Sequence, residues 1–379
     1  MKNIKILQRS ISVSIILVCF LVFPIQGQEA KIEKKDGITI VYNPKNPVKK
    51  AGSPSVLVLN LDLTIGDNAF DENYMFSNIG GVMVDVDEDI IVIDDKEMVI
   101  KVFDKTGKHL RTFGQHGQGP GEFQSVSRIV LKGGTDILIL DRGNSRFSYY
   151  SKEGKCLKEI LLGKYSFTSR VKPDSKGFIY ADITERDGDK SVYKIMRFDP
   201  DFNMIETIAK TERVRNYLEL SPISVWFMYS VMHDDRFVWG WNTEYEFTIH
   251  NPDGKPVRKI IKDYDPVKIT KELQEKILAE TYGDRGVPDM FKIVFPKNYT
   301  PWYYYMCDDV GRLYVRTFRE NEKGEIKWDV FDEEGIYILS FFLPIIETLY
   351  CFRNNLAYSF INENEDGIPV VLRYQMDWR

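Results

Sequence analysis

An all-β ring of six blades, a six-bladed β-propeller, is the fold this sequence predicts, and three observations lead there. Short runs rich in Val, Ile, Phe and Tyr recur along the chain between Asp, Gly and Asn turns, and only one convincing helix interrupts them. The runs group into units of about 40 residues, each with up to four strands joined by tight turns, which is the size of one propeller blade. The last unit lacks its fourth strand, while the N-terminal part offers a strand with no partner. Pairing the two closes a ring and removes two bare sheet edges. An open solenoid would leave both edges exposed, and residues 27–80 have room for one or two strands only, too few for a seventh blade.

In chain order, Lys2, Lys5 and Arg9 precede an apolar run from Ile11 to Phe23, which Pro24 breaks before polar Gln26–Glu29. That pattern reads as a secretory signal peptide over residues 1–27, too short for a comfortable membrane span. Removing it leaves 352 residues and takes the formal charge from −5 to −8, because the segment carries three cations and no acid. A mildly acidic chain with no long basic run argues against nucleic acid as a partner. No second run of about twenty apolar residues follows, so no membrane span is expected after signal removal. The chain is expected to be secreted or periplasmic, and monomeric. Cys156, Cys307 and Cys351 are too few and too scattered for a disulfide framework and read as buried thiols.

Residues 28–54 read as a polar leader, partly extended at Ile38–Tyr42, and the propeller proper as residues 55–379. Ser55–Leu63 alternates as a strand and is the one assigned to close the last blade. Blade one takes strands at 82–86, 90–93, 99–103 and 109–113, and blade two at 127–131, 137–141, 147–150 and 156–161. Blade three follows at 169–171, 178–182, 193–198 and 204–208, and blade four at 229–232, 237–240, 245–249 and 257–261. Blade five is placed at 303–307, 313–315, 327–331 and 337–341, and blade six at 349–352, 356–360 and 370–374. Between blades one and two, Phe113–Phe123 holds four glycines in eleven residues, which excludes a helix interior or a packed strand and predicts a shaped link anchored by its two phenylalanines. Insertions at 209–226 and 264–302 lengthen later links on the same face. The second insertion holds the helix, Thr270–Glu280, with Ile269, Leu273 and Ile277 on one side and Thr270 as cap, placed to roof the channel in part.

The stretch Gly117-Gln118-Gly119-Pro120-Gly121-Glu122-Phe123, preceded by Val102–Gly107 and Leu110–Gly114, resembles an NHL-type propeller repeat. The signal segment, blades and helical insertion together resemble the secreted six-bladed β-propeller proteins of gut bacteria, most of them functionally uncharacterised. The resemblance is strongest in blades one and two and fades in blades four to six. It implies a propeller that binds something at one face, and it does not imply a reaction.

Counting back from each second strand gives equivalent channel positions at Val82, Arg128, Arg170, Tyr229, Tyr304 and Thr348. Arginine offers a fork of donors for carboxylate or phosphate, and tyrosine an apolar face with a polar tip. Arg128, Arg170, Tyr229 and Tyr304, with Trp226 and Trp302 just before two inner strands, form the candidate binding set. The competing reading gives these arginines to ion pairs between blades and these aromatics to core packing. Asp94, Asp141 and Asp182 recur at the ends of second strands and read as turn caps. The four histidines show no zinc-ligand spacing, so no catalytic residues, metal ligands or cofactor are assigned. The expected role is a binding module at the channel mouth on the insertion-bearing face, for a small molecule, a glycan or a protein. The alternatives are a metal-dependent propeller enzyme of lyase or lactonase type and a protein-interaction scaffold.

Overall fold

The computed structural model describes residues 29–49, 52–67, 70–132, 136–163, 167–214, 219–283, 286 and 292–379. The segment 1–27, read above as a signal, and the side chain of Arg128 lie outside the described residues.

Six sheets surround one axis. The chain starts with a hairpin, β1 (Lys31–Lys35) and β2 (Ile38–Asn43), followed by β3 (Leu57–Ile65). Blade one is β4 (Ile79–Val84), β5 (Ile90–Asp94), β6 (Val99–Phe103) and β7 (His109–Phe113); blade two is β8 (Val126–Lys132), β9 (Asp136–Asp141), β10 (Arg146–Tyr150) and β11 (Cys156–Leu161). Blade three is β12 (Phe167–Pro173), β13 (Ile179–Asp187), β14 (Lys190–Phe198) and β15 (Met204–Val214), after which comes the short β16 (Glu219–Leu220). Blade four is β17 (Phe227–Val231), β18 (Phe237–Trp241), β19 (Glu246–His250) and β20 (Pro256–Lys262), and α1 (Lys271–Tyr282) and β21 (Lys292–Ile293) follow it. Blade five is β22 (Tyr304–Cys307), β23 (Leu313–Glu320), β24 (Glu325–Phe331) and β25 (Tyr337–Pro344). Blade six is β26 (Thr348–Arg353), β27 (Leu356–Ile361) and β28 (Val370–Trp378), with β3 as its fourth strand.

The ring closes as the strand count requires. β3 runs antiparallel to β28 from Val371 opposite Ile65 to Trp378 opposite Leu57, and the Ser55 and Val56 amides donate to the Arg379 carbonyl. Each of the six hydrophobic clusters sits at the seam between two neighbouring blades, so the core is a set of blade interfaces rather than one centre.

Turn chemistry repeats with the blades. Between third and fourth strands, Asp104, Asp199 and Asp332 each accept the amides two and four residues on. The fourth turn position has positive φ, filled by Gly107 and Gly335. Blade three puts Phe202 there instead, at φ 69°, and stacks its ring on Phe198 at 4.5 Å.

Three features depart from the sequence reading. The stretch expected to be extended at Ile38–Tyr42 is β2, but it forms a hairpin with β1 and runs parallel to β20, so blade four has six strands. Asn43 then bridges blades four and five, its amide donating to the Gly335 carbonyl at 2.9 Å and its oxygen accepting the Tyr337 amide at 2.8 Å. The two insertions also meet, β16 pairing in parallel with β21. The helix forms where expected, with the Thr270 hydroxyl accepting the Leu273 amide, but α1 has no buried residue, and its Leu273 and Ile277 side is only half-buried.

Candidate ligand-binding site

Links that carry an outer strand into the next inner strand share one face of the ring, here called the link face; the turns between first and second strands mark the opposite, or turn, face. On the link face, Asp94 and Asp141 are the caps the sequence suggests, and they do more than cap. Asp94 accepts the amides of Lys96 and Glu97 in its own turn and of Ser77 and Asn78 in the incoming link. Asp141 does the same with Asn144 and with Gln124 and Ser125, and Asn242 takes the place in blade four by accepting the Trp226 amide at 2.9 Å. Asp182 lies within β13, away from a turn. The glycine-rich link is clamped by Arg146, whose guanidinium donates to the Gly119 and Glu122 carbonyls. Phe123 is fully buried there, 5.6 Å from the Tyr150 ring.

The candidate side chains divide into two groups. Tyr229 is buried, and its hydroxyl donates to the Arg170 and Tyr180 carbonyls, pinning blade four to blade three. Trp302 is fully buried between Phe247 and Tyr305, with its indole N–H on the Glu244 carbonyl. Tyr304 reaches the Leu349 carbonyl of blade six at 3.2 Å, and burial pushes its phenol well above the ordinary range. Burial explains all three: a large ring on an inner strand or just before it meets the neighbouring blade before it meets solvent, so Tyr229 and Trp302 present no surface to a ligand. Tyr305 and Tyr350 make the same kind of inter-blade pin, to blade four and to blade one.

The second group lies at the rim. The Trp226 indole N–H donates to the Tyr303 carbonyl at 3.0 Å, and its ring meets Tyr303 edge-on at 5.5 Å. From Tyr303 the contact passes to Phe318 at 5.6 Å and on to Tyr299, stacked on Phe318 at 4.5 Å and 13°. The Arg316 guanidinium lies 5.2 Å from the Tyr303 ring centre, and the Arg170 guanidinium donates to the carbonyl of Phe227, next in sequence to Trp226. Tyr303 is 37% exposed, and Trp226, Phe318 and Tyr299 are half-buried. This arc of aromatic and guanidinium groups joins Arg170, Trp226 and Tyr303 to Arg316 and Phe318, and sequence reasoning passed over the last two because their spacing along the chain is irregular. Tyr304 supports it from beneath, edge-on to Tyr303 at 5.7 Å.

The turn face holds a cavity of about 410 Å³ lined by the ends of inner strands, including Val86, Leu131, Val231 and Cys307. Its acids are engaged in structure. Asp235 of blade four accepts the Ser175 amide and hydroxyl of blade three, and Asp309 of blade five accepts the Asn354 amide of blade six. Burial pushes the Cys307 and Cys351 thiols up to about 12, which makes them poor nucleophiles. Among the described residues, no three His, Cys, Asp or Glu side chains gather so as to hold a metal ion, and no helix is long and apolar enough to cross a membrane.

A family model, DUF5128, described as a 6-bladed beta-propeller, matches residues 71–249. No curated protein matches the sequence significantly. Among solved structures, the chain is similar to a protein of Bacteroides fragilis described as exported, with 13% identity, TM-score 0.55, and coverage of 90% of this chain and 99% of that one. It is also similar to a member of the duf4221 family from Bacteroides vulgatus, with 11% identity, TM-score 0.52, and coverage of 86% of this chain and 100% of that one. At these identities the likeness is one of fold.

Proposed function

We propose that this propeller is an exported binding protein, working in the periplasm or at the cell surface, that holds a glycan at the channel rim on the link face. The observation that carries the reading is the arc Trp226–Tyr303–Phe318–Tyr299. Sugar rings offer C–H faces that lie well on aromatic surfaces, and their hydroxyls suit guanidinium donors such as Arg170 and Arg316. Arg128, at the equivalent position of blade two, belongs to the same proposed set. Tyr229, Tyr304 and Trp302 act in it by holding blades three to six in register behind the rim. A binding role needs a ring held in register, which the blade-to-blade pins supply, and an accessible rim, which the exposure of Tyr303 supplies.

Native gels cast with neutral polysaccharide (xylan, mannan) or anionic polysaccharide (polygalacturonate, chondroitin sulfate) test this. We expect at least one to retard the protein, and the Trp226→Ala and Tyr303→Ala variants each to weaken that retardation about tenfold, the scale of a stacking contact of ~1–1.5 kcal/mol. Unchanged migration in all four gels, or retardation that both variants retain in full, refutes the proposal.

A further inference from the structure

Beside the arc, at the outer seam of blades four and five, is a half-open cavity of about 70 Å³. Lys45, Lys262, Arg319 and Lys327 line it together with only two acids, Asp265 and Asp329. Two of the groups buried deep in the seam are charged: Lys262 is 5% exposed and Asp329 1%. Asp329 accepts from the Tyr245 hydroxyl at 2.6 Å, the Tyr337 hydroxyl at 2.7 Å and the Lys327 ammonium at 2.9 Å, with the Lys262 ammonium at 3.5 Å. Four donors meet the full acceptor capacity of one carboxylate. Lys262 is further held by the Lys45 and Asp263 carbonyls and lies over the Tyr245 and Tyr337 rings. Lys327 has the Tyr337 hydroxyl as its other partner, which leaves one of its three N–H donors for the cavity it lines.

The charge does not balance. Two ammonium groups face one buried carboxylate, and at the mouth Lys45 and Arg319 share Asp265. Buried ions persist when paired, and a net cation in a seam is a standing cost that an anion relieves. Burial lowers the Lys262 ammonium below its ordinary range, against the pull of Asp329, and the neighbouring Lys327 charge lowers it further. Thr300 and Thr317 add hydroxyls to the wall, and Phe318 is shared with the arc.

We propose that this seam cavity is a binding site for an oxyanion, a carboxylate, sulfate or phosphate group, recognised by the free donor of Lys327 and by Arg319, with the buried charge of Lys262 behind them. This rests on the glycan reading only for what the group is attached to: with a glycan on the arc, the ligand is an acidic one, bearing uronate or ester sulfate. The cavity admits the anionic group and a few atoms beyond it, and the rest of the ligand lies outside along Phe318 and Tyr303.

Isothermal titration at constant ionic strength, with galacturonate, inorganic sulfate and inorganic phosphate as separate probes, tests it and ranks the three chemistries. We expect saturable binding of at least one. Lys327→Met should weaken it tenfold or more, the exposed Arg319→Ala several-fold, and Trp226→Ala little. Arg319→Ala keeps the test valid if the seam variant fails to fold. No saturable binding of any probe, or equal affinity in parent and Arg319→Ala protein, overturns the proposal. A protein that binds these anions but no polysaccharide refutes the glycan reading alone; one that binds polysaccharide but none of the anions refutes the cavity site alone.

Discussion

Glu347, in the short link from β25 to β26, is 5% exposed, and its Oε1 has no hydrogen-bond partner among the described residues. Burial raises its carboxyl above the usual range, and the Tyr374 and Ser359 hydroxyls only partly oppose this. A carboxyl whose folded pKa is raised is bound more tightly to its proton in the native state. It therefore costs stability at neutral pH and ceases to do so below the unfolded value, near 4.5. We expect Glu347→Gln to stabilise the protein at pH 7, because it removes the buried charge and leaves a neutral amide in its place, and to make little difference near pH 4. Chemical denaturation at both pH values measures it; destabilisation at pH 7 refutes the assignment. The same scale shows what a sequence conceals. Counting along the chain sets Arg170, Tyr229 and Tyr304 at one strand position, yet the pairing puts Tyr229 one residue further on, level with Tyr305 and buried under two carbonyls, while the Arg170 guanidinium donates to the Phe227 carbonyl. Position along a strand says which side chains point inward, whereas the reach and girth of the next blade decide which ones meet solvent.

Among the elements, the β1–β2 hairpin is the clearest departure from what the chain suggests. Its charge is typical of a solvated segment, and all of β1 outside Glu33 lies open to solvent, whereas β2 buries Val41 and Asn43. What makes it structure is the free edge of β20, a partner more than two hundred residues away in sequence. Asn43 fastens the hairpin, so Asn43→Ala should cost about 2 kcal/mol, leaving the Tyr337 amide and Gly335 carbonyl without their buried partner. The denaturant midpoint reports it, and a midpoint equal to the parent's would show that the bridge carries nothing. α1 illustrates the converse. Thr270 specifies its start, and local capping chemistry is readable in sequence. Where the helix lies is not, because Leu273 and Ile277 make too narrow an apolar stripe to dictate a docking face.

For the whole molecule, closure is the decisive event. β3 supplies the last strand of blade six and also contributes Ile65 to the seam with blade one. A chain beginning at Gly66 would leave the β28 edge bare and open the ring. We expect it to aggregate or to lose cooperative thermal unfolding, as size-exclusion chromatography and calorimetry would report. A soluble monomer melting as the parent does would mean that closure is dispensable. The candidate site belongs to this scale as well. The arc draws on residues 170, 226, 299, 303 and 318, and the seam cavity joins Lys45 to Lys262 and Lys327, so neither exists until blades three to five and the leader are in place.

Sequence alone determined the all-β class, the six units, the strand that closes them, the glycine link and the helix cap. Each of these rests on local alternation, turn chemistry or a count of strands and edges. Tertiary structure decided which aromatics are pins and which form the rim, that the leader widens blade four, that the two insertions pair, and that an excess of ammonium charge surrounds Asp329. Those outcomes depend on contacts across seams between residues far apart in the chain, where burial and unequal charge arise only once neighbouring blades meet.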